Sequence, residues 1–234
     1  MSEVLVFGGV NIDQVVYLSR PPKEGETLEG DSIEAFLGGK GANQAVAISR
    51  LGASVSFVGN VGKDSFGEKL IALLTKENID LSMLETVTVN TGTAVINVFD
   101  NSENQIVYIP GANELTNHRQ VPKENLKRAK IVVSQMEVNP VEVEKLFINS
   151  KKSNCLNILN LAPFKKPSNR LIFNSDILIF NELEFALFTG LNNPIPFDLD
   201  RLKQGIKDLN LDTKISLIVT LGARGLVFFH KNKI

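Results

Sequence analysis

The sequence predicts an α/β fold, a mostly parallel sheet with helices on both faces and a small β lid over one edge. Three observations carry this. Short, continuous apolar runs alternate with segments of helical period, the pattern of βαβ units. Two more polar β segments, near 11–36 and 92–110, break that rhythm and are placed in the lid. A glycine-rich turn, Gly38-Gly39-Lys40-Gly41, joins a strand ending at Phe36-Leu37 to a helix that runs to about Leu51.

In chain order, Val4 to Gly8 is a buried strand broken by Gly8-Gly9, with Asn11-Ile12-Asp13 and then Val15 to Leu18 following. Pro21 to Glu26 is a turn, and Leu28 to Phe36 is a second, more polar strand. In the helix after the glycine turn, Ala42, Ala45, Val46 and Ser49 form a small-residue face, and Gly52 ends it. Val55 to Gly59 is the next strand. Ser65-Phe66-Gly67-Glu68 reads as a capping box opening a helix that carries Phe66, Leu70, Leu73 and Leu74 and ends near Asn78. Thr91 to Tyr108 is two strands around an Asp100-Asn101 turn. Ile131 to Val133 is a strand, and Asn139-Pro140 caps the helix after it, with proline at the first helical position. Leu156 to Leu159 and Ile177 to Phe180 are buried strands. Asn181 to Phe188 is a short helix ended by Gly190, and 192–197 is a proline-containing loop. Leu199, Leu202, Ile206 and Leu209 mark an amphipathic helix before the last strands, Ile215 to Thr220 and Leu226 to Phe229.

Composition narrows the function classes. The 234 residues are 43% hydrophobic and 22% charged, values of one large globular domain spanning 1–234. A net charge of −1 gives no field for nucleic acid or an anionic membrane. No apolar run reaches the roughly 18 residues of a membrane span, and the N-terminus lacks a signal-peptide pattern, so a soluble cytoplasmic protein is expected. The single cysteine, Cys155, excludes an intrachain disulfide and reads as a buried structural thiol, and there is no Cys/His metal set. His118 and His230 lie in polar contexts and are expected to be exposed.

Open parallel sheets bind ligands beyond the carboxyl ends of their strands. Five groups fall there: Asn11 with Asp13, the glycine turn, Glu137, Asn181 with Glu184, and Thr220-Leu221-Gly222-Ala223-Arg224-Gly225. A glycine turn opening a helix leaves N–H groups for an anion or for hydroxyls, or it is only a tight turn. Lys40 adds a charge and Asn43 an amide. Carboxylates and amides at separate strand ends suit a polyol, whose hydroxyls each need a donor and an acceptor. Asn181-x-x-Glu184 suits a hydrated Mg²⁺, or it is a helix cap with its capping-box partner. Taken singly, Asn11 and Asp13 read equally as turn residues, Glu137 as a solvated loop acid, Thr220 to Gly225 as a plain turn and Arg224 as a solvated cation.

The combination is more specific than its parts. Gly8 to Asp13, Gly38 to Ala45, Gly59-Asn60-Val61-Gly62 with Asp64, Gly111-Ala112-Asn113, Glu137, Asn160 to Pro163, Asn181 to Glu184 and Thr220 to Gly225 occur in this order along the whole chain. In that set the sequence resembles the ribokinase-like carbohydrate kinase family, of phosphofructokinase-B type, and within it the ribokinase branch and its deoxyribose-using relatives. The resemblance implies a three-layer ribokinase-like fold and ATP-dependent phosphorylation of a pentose. It implies a sugar site of Asn11, Ile12, Asp13, Gly39, Lys40, Gly41, Ala42, Asn43 and Glu137. By the same carry-over, ATP is bound by Asn181, Thr220, Leu221, Gly222, Ala223, Arg224 and Gly225, and Asn181 and Glu184 lie near hydrated Mg²⁺. It further implies a β lid that excludes water and, in relatives, makes a homodimer contact. The family's Asp-Thr-x-Gly-Ala-Gly-Asp signature, with its catalytic base and anion hole, and its K⁺ loops are expected beyond Ile234. From this the expectation is a C-terminally truncated kinase, inactive or impaired in turnover and poorly soluble. The alternative is a non-catalytic sugar- or nucleotide-binding pseudokinase module. A dinucleotide-dependent oxidoreductase is disfavoured, because Gly8-Gly9-Val10-Asn11 lacks the G-x-G-x-x-G spacing.

Overall fold

The computed structural model describes residues 3–101, 103–191, 198–209, 211–231 and 233. The loop read at 192–197 lies outside the described residues. Among the described residues, twelve strands and seven α-helices follow in order. They are β1 (Val4–Phe7), β2 (Asn11–Leu18), β3 (Ser32–Gly38), α1 (Lys40–Arg50), β4 (Val55–Gly62), α2 (Ser65–Lys76), β5 (Asp80–Val87), β6 (Gly92–Phe99) and β7 (Asn104–Ile109). After two 3₁₀ turns (Gly111–Leu115 and His118–Gln120) come α3 (Lys123–Arg128), β8 (Ile131–Gln135), α4 (Pro140–Lys152), β9 (Leu156–Asn160), α5 (Asn169–Phe173) and β10 (Ile177–Asn181). The chain continues with α6 (Glu182–Thr189), α7 (Leu199–Asp208), β11 (Ser216–Thr220), a third 3₁₀ turn (Gly222–Arg224) and β12 (Leu226–Phe229).

Eight strands form the main sheet in the order β12-β11-β10-β9-β8-β1-β4-β5. All neighbours are parallel except β11 and β12. β1 shows why the sheet is filled from both sides. Leu5 and Phe7 join a cluster with Val143, Phe147, Phe185 and Leu202 of α4, α6 and α7. Val4 and Val6 join a second cluster with Ala42, Ala45, Leu70 and Leu74 of α1 and α2. Alternate residues of one strand thus serve two cores, so the strand reads as an unbroken apolar run. At the β12 edge, Leu226 and Phe228 are exposed.

A second sheet, ordered β3-β2-β6-β7, is built from the two segments that broke the βα rhythm. β2 leaves the end of β1 through Gly8-Gly9-Val10, so the two sheets are joined at the carboxyl ends of the main strands.

Local differences from the sequence expectations have local causes. The second polar strand is Ser32–Gly38 rather than Leu28–Phe36, because its pairing with β2 begins at Tyr17↔Ser32. The cap of α2 is Asp64, not Ser65, since the Asp64 carboxylate accepts the Gly67 N–H at 2.8 Å. β5 has no clean alternation and carries polar residues along its length, so no strand was expected there; it forms by pairing with β4. His118 is not exposed, because its Nδ1 lies 2.5 Å from Glu142 Oε2 of α4. His230 is half-buried, with its ring nitrogen 2.8 Å from the Ser216 hydroxyl. Cys155 is buried against the carbonyls of Leu126 and Ala129. Among the described residues no helix is long and apolar enough to cross a membrane.

Candidate active site

The join between the two sheets is built on glycine. Gly39 has a φ of 89°, and a Cβ there would stand 2.7 Å from the Gly9 carbonyl oxygen. A side-chain-bearing residue would therefore meet both strain and collision. Gly38 solves a different problem: a Cβ there would lie 2.1 Å from atoms of the Asp13 carboxyl. Its bare Cα makes room for that carboxylate across the β2–β3 pair.

The turn does not offer a row of free N–H groups, and in this the sequence expectation is corrected. The Lys40 N–H donates to Glu137 Oε2 at 2.6 Å, and the Ala42 N–H donates to the Gly9 carbonyl at 3.0 Å. No side chain within the turn caps α1. Glu137, 97 positions further on, supplies that carboxylate from the end of β8. It is buried, so the reading of a solvated loop acid does not hold. A negative side chain there also complements the positive end of the helix dipole.

Around this join lies a cavity of about 270 Å³, lined by Asn11, Asp13, Gly39, Lys40, Asn43, Ala94, Ile96, Ile106, Tyr108, Glu137 and Pro163. Its polar floor comes from β2, the glycine turn and the β8 end. Its apolar wall comes from β6 and β7 of the second sheet. Asn11 and Asp13, two apart on one strand, share a face. Ile12, on the opposite face of β2, is buried in the cluster with Ala42 and Ala45. Gly41 and Ala42 are buried in the first turn of α1 and are not among the residues lining the cavity.

The electrostatics follow from burial. Burial pushes the Asp13 carboxyl above its ordinary range, against the pull of the Lys40 charge. Burial also raises Glu137; the Lys40 N–H, the Lys40 charge and Lys165 oppose this, while Asp13 adds to it. The Tyr108 phenol is raised by burial, with the Glu137 charge adding. The Lys40 charge thus favours the ionised form of both carboxylates, against the cost of burying them.

Along the same sheet edge, beginning at β10, two strands from β8, a second group assembles. Asn181 and Thr220 are register partners at the ends of β10 and β11. Asn181 and Glu184 form a true capping box: Asn181 Oδ1 accepts the Glu184 N–H, and Glu184 Oε2 accepts the Asn181 N–H, both at 2.8 Å. Burial raises the Glu184 carboxyl, and the field of Lys40 reaches it as well. Thr220 to Gly225 is the hairpin between β11 and β12, with positive φ at Gly222 and Gly225. Gly222 to Gly225 are exposed and Leu221 is partly buried. Arg224 is not simply solvated; it pairs with Glu182 at 2.5 Å.

Mg²⁺ fits part of this group. Asn181 has its carbonyl oxygen committed to the helix cap, which leaves its NH₂ as the outward group, and an amide NH₂ is not a metal ligand. Glu184 keeps one carboxylate oxygen beyond the cap, suited to a water of a hydrated ion. No cluster of three or more His, Cys, Asp or Glu side chains able to hold a metal exists among the described residues.

Sequence reasoning did not single out the cavity-wall residues Ala94, Ile96, Ile106 and Tyr108, nor Asn113 behind the cavity. Asn113, in the first 3₁₀ turn, is fully buried and bonds both Val10 and Asn11. Its only sequence signal is its place in the Gly111-Ala112-Asn113 run.

The family model for pfkB family carbohydrate kinases matches residues 1–234. The chain is 34% identical over 231 residues to a ribokinase of Haemophilus influenzae, covering 97% of this chain and 74% of that protein. It is 31% identical over 236 residues to a deoxyribokinase of Salmonella typhi, covering 99% of this chain and 76% of that one. Among solved structures, the Arabidopsis thaliana ribokinase complexed with ribose and ATP superposes with a TM-score of 0.87 at 28% identity, over 100% of this chain and 77% of that one.

Proposed function

The chain belongs to the pfkB family of carbohydrate kinases, and from that premise we propose that it transfers the terminal phosphoryl group of ATP to a hydroxyl of a pentose, D-ribose first, giving ribose 5-phosphate. The observation that carries this reading is the cavity floor. Asp13, Asn11, Lys40, Asn43 and Glu137 meet in one space of about 270 Å³ under an apolar wall. Sugars are recognised in this way, with carboxylates and amides on the hydroxyls and apolar surface on the C–H faces.

In this reading Asp13 and Glu137 accept hydrogen bonds from sugar hydroxyls, while Asn11, Asn43 and Lys40 donate to their oxygens. Gly39, Gly41 and Ala42 shape the turn, and Ile12 anchors it from the core side. The second sheet, β3-β2-β6-β7, is the lid. Ala94, Ile96 and Ile106 exclude water, which would otherwise compete as phosphoryl acceptor. ATP is assigned to Asn181 and Thr220 to Gly225, on the same sheet edge. Mg²⁺, when bound with the nucleotide, neutralises phosphate charge, and Glu184 accepts a hydrogen bond from its water shell. Lys40 lines the sugar cavity, and its field favours the ionised form of Asp13, Glu137 and Glu184. A homodimer contact through the lid belongs to the same reading, supported by the exposed Ile33, Phe36 and Val107; sedimentation velocity tests it.

Titration calorimetry with ribose, 2-deoxyribose and fructose, beside a coupled assay of ADP release with ATP and Mg²⁺, tests the proposal. The expected result is pentose binding in preference to the hexose, and pentose-dependent ADP release. Preference for the hexose, or ATP binding with no pentose binding, overturns it.

A further inference from the structure

Asn11 can offer the cavity either end of its carboxamide, and its neighbour decides which. Asn113 Oδ1 accepts the Val10 N–H at 2.9 Å. Its Nδ2 lies 2.7 Å from Asn11 Oδ1, 3.0 Å from the Pro110 carbonyl and 3.2 Å from the Val10 carbonyl. Two backbone carbonyls can be met only by a donor, and one backbone N–H only by an acceptor. The backbone thus fixes the orientation of Asn113. Asn113 then fixes Asn11, which must turn its oxygen to the Asn113 NH₂. No group among the described residues takes Asn11 Nδ2, and it is what Asn11 has left for the cavity it lines. The pair is closely fitted: a Cβ at Gly92 would lie 2.2 Å from Asn113 Nδ2 and 2.4 Å from Asn11 Oδ1.

We propose that Asn113 is a positioning residue for sugar recognition: it makes Asn11 a pure donor beside Asp13, a pure acceptor. The two stand on one face of β2, on the order of 7 Å apart along the strand. A hydroxyl both accepts and donates, so this arrangement matches one hydroxyl, or a vicinal pair, and opposes a ligand that presents two donors or two acceptors. The inference rests on the reading of the cavity as a sugar site.

Ribose affinity is measured by calorimetry for the wild type, Asn113→Asp, Asn11→Ala and the double variant, with unfolding curves for each. Asn113→Asp keeps the shape and the acceptor for Val10 N–H but removes the NH₂. Asn11 then turns its own NH₂ to the new carboxylate and its oxygen to the cavity beside Asp13. The expected result is a ten- to thirtyfold loss of ribose affinity that disappears in the Asn11→Ala background. If Asn113→Asp does not fold, Asn113→Ser, too short to reach Asn11, carries the same expectation with a smaller loss. Unchanged affinity in the variants, or the same loss with and without Asn11, overturns the inference while leaving the sugar-site reading standing. Absence of ribose binding by the wild type overturns both.

Discussion

Single side chains at the cavity are held by backbone that leaves them no alternative. The Asp13 carboxyl sits where any residue but glycine at position 38 would place a carbon. Gly38→Ala should therefore lower pentose affinity by tenfold or more while the unfolding transition stays cooperative, read by calorimetry and circular dichroism. Glu137 carries a pH signature. Burial raises its folded-state value above the unfolded 4.5, so the folded protein binds more protons between the two values. The cost of burying this charge is absent below 4.5, grows as pH rises from there and is full only above the folded value. Glu137→Gln is expected to raise the unfolding midpoint at pH 7 and leave it nearly unchanged at pH 4, while ribose binding is lost. A lower midpoint at pH 7 would show that the Lys40 N–H and the field of the Lys40 charge outweigh burial. Asn11, Asp13 and Glu137 were named in the sequence as polar residues at strand ends, but each alone read as well as a turn residue or a solvated acid, and only the combination of motifs singled them out. The role of Asn113 was not legible there, because it exists only once the loop after β7 folds back onto Val10.

Among the elements, helix ends show how local chemistry and tertiary contact divide the work. The Asn139-Pro140 cap and the Asn181/Glu184 box lie within a few residues of themselves and were readable. Asp64 does more than cap α2: its carboxylate also accepts the Thr91 N–H at 2.8 Å and the Thr91 hydroxyl at 2.7 Å. Thr91 immediately precedes β6, so one carboxylate ties the end of β4, the start of α2 and the entry to the second sheet. Asp64→Ala should cost about 2 kcal/mol in urea unfolding, a lost cap plus lost hydrogen bonds to a charged acceptor. A loss within about 0.5 kcal/mol, the range of an ordinary surface change, would count against this tie. α1 is the opposite case. Its N-terminus has no local cap, and Glu137 provides one from another strand, which ties the start of the helix to the cavity.

For the whole molecule, the main sheet sets both candidate sites on one edge. β1 and β8 bring in Asn11, Asp13 and Glu137, and β10 and β11 bring in Asn181 and Thr220. The second sheet supplies the apolar wall, so a pentose bound as proposed would join the two sheets through a shared ligand. Ribose at a hundredfold excess over its Kd should stabilise the protein by about 2.7 kcal/mol, in a single transition for both sheets. Two separated transitions would show that the second sheet unfolds on its own.

The α/β class, the core strands other than β5, the second sheet's segments and the residue types at the strand ends could all be read from the chain alone. These follow from periodicity and from chemistry carried within a few positions of the chain. Only the tertiary structure decided which of those residues meet. Glu137 reaches the Lys40 N–H across 97 positions, Asn113 reaches Asn11 across 102, and β5 becomes a strand by pairing with β4. The physical reason is the same in each case: a hydrogen bond between distant segments leaves no period in the sequence, and its partner is fixed only when the sheets have closed around it.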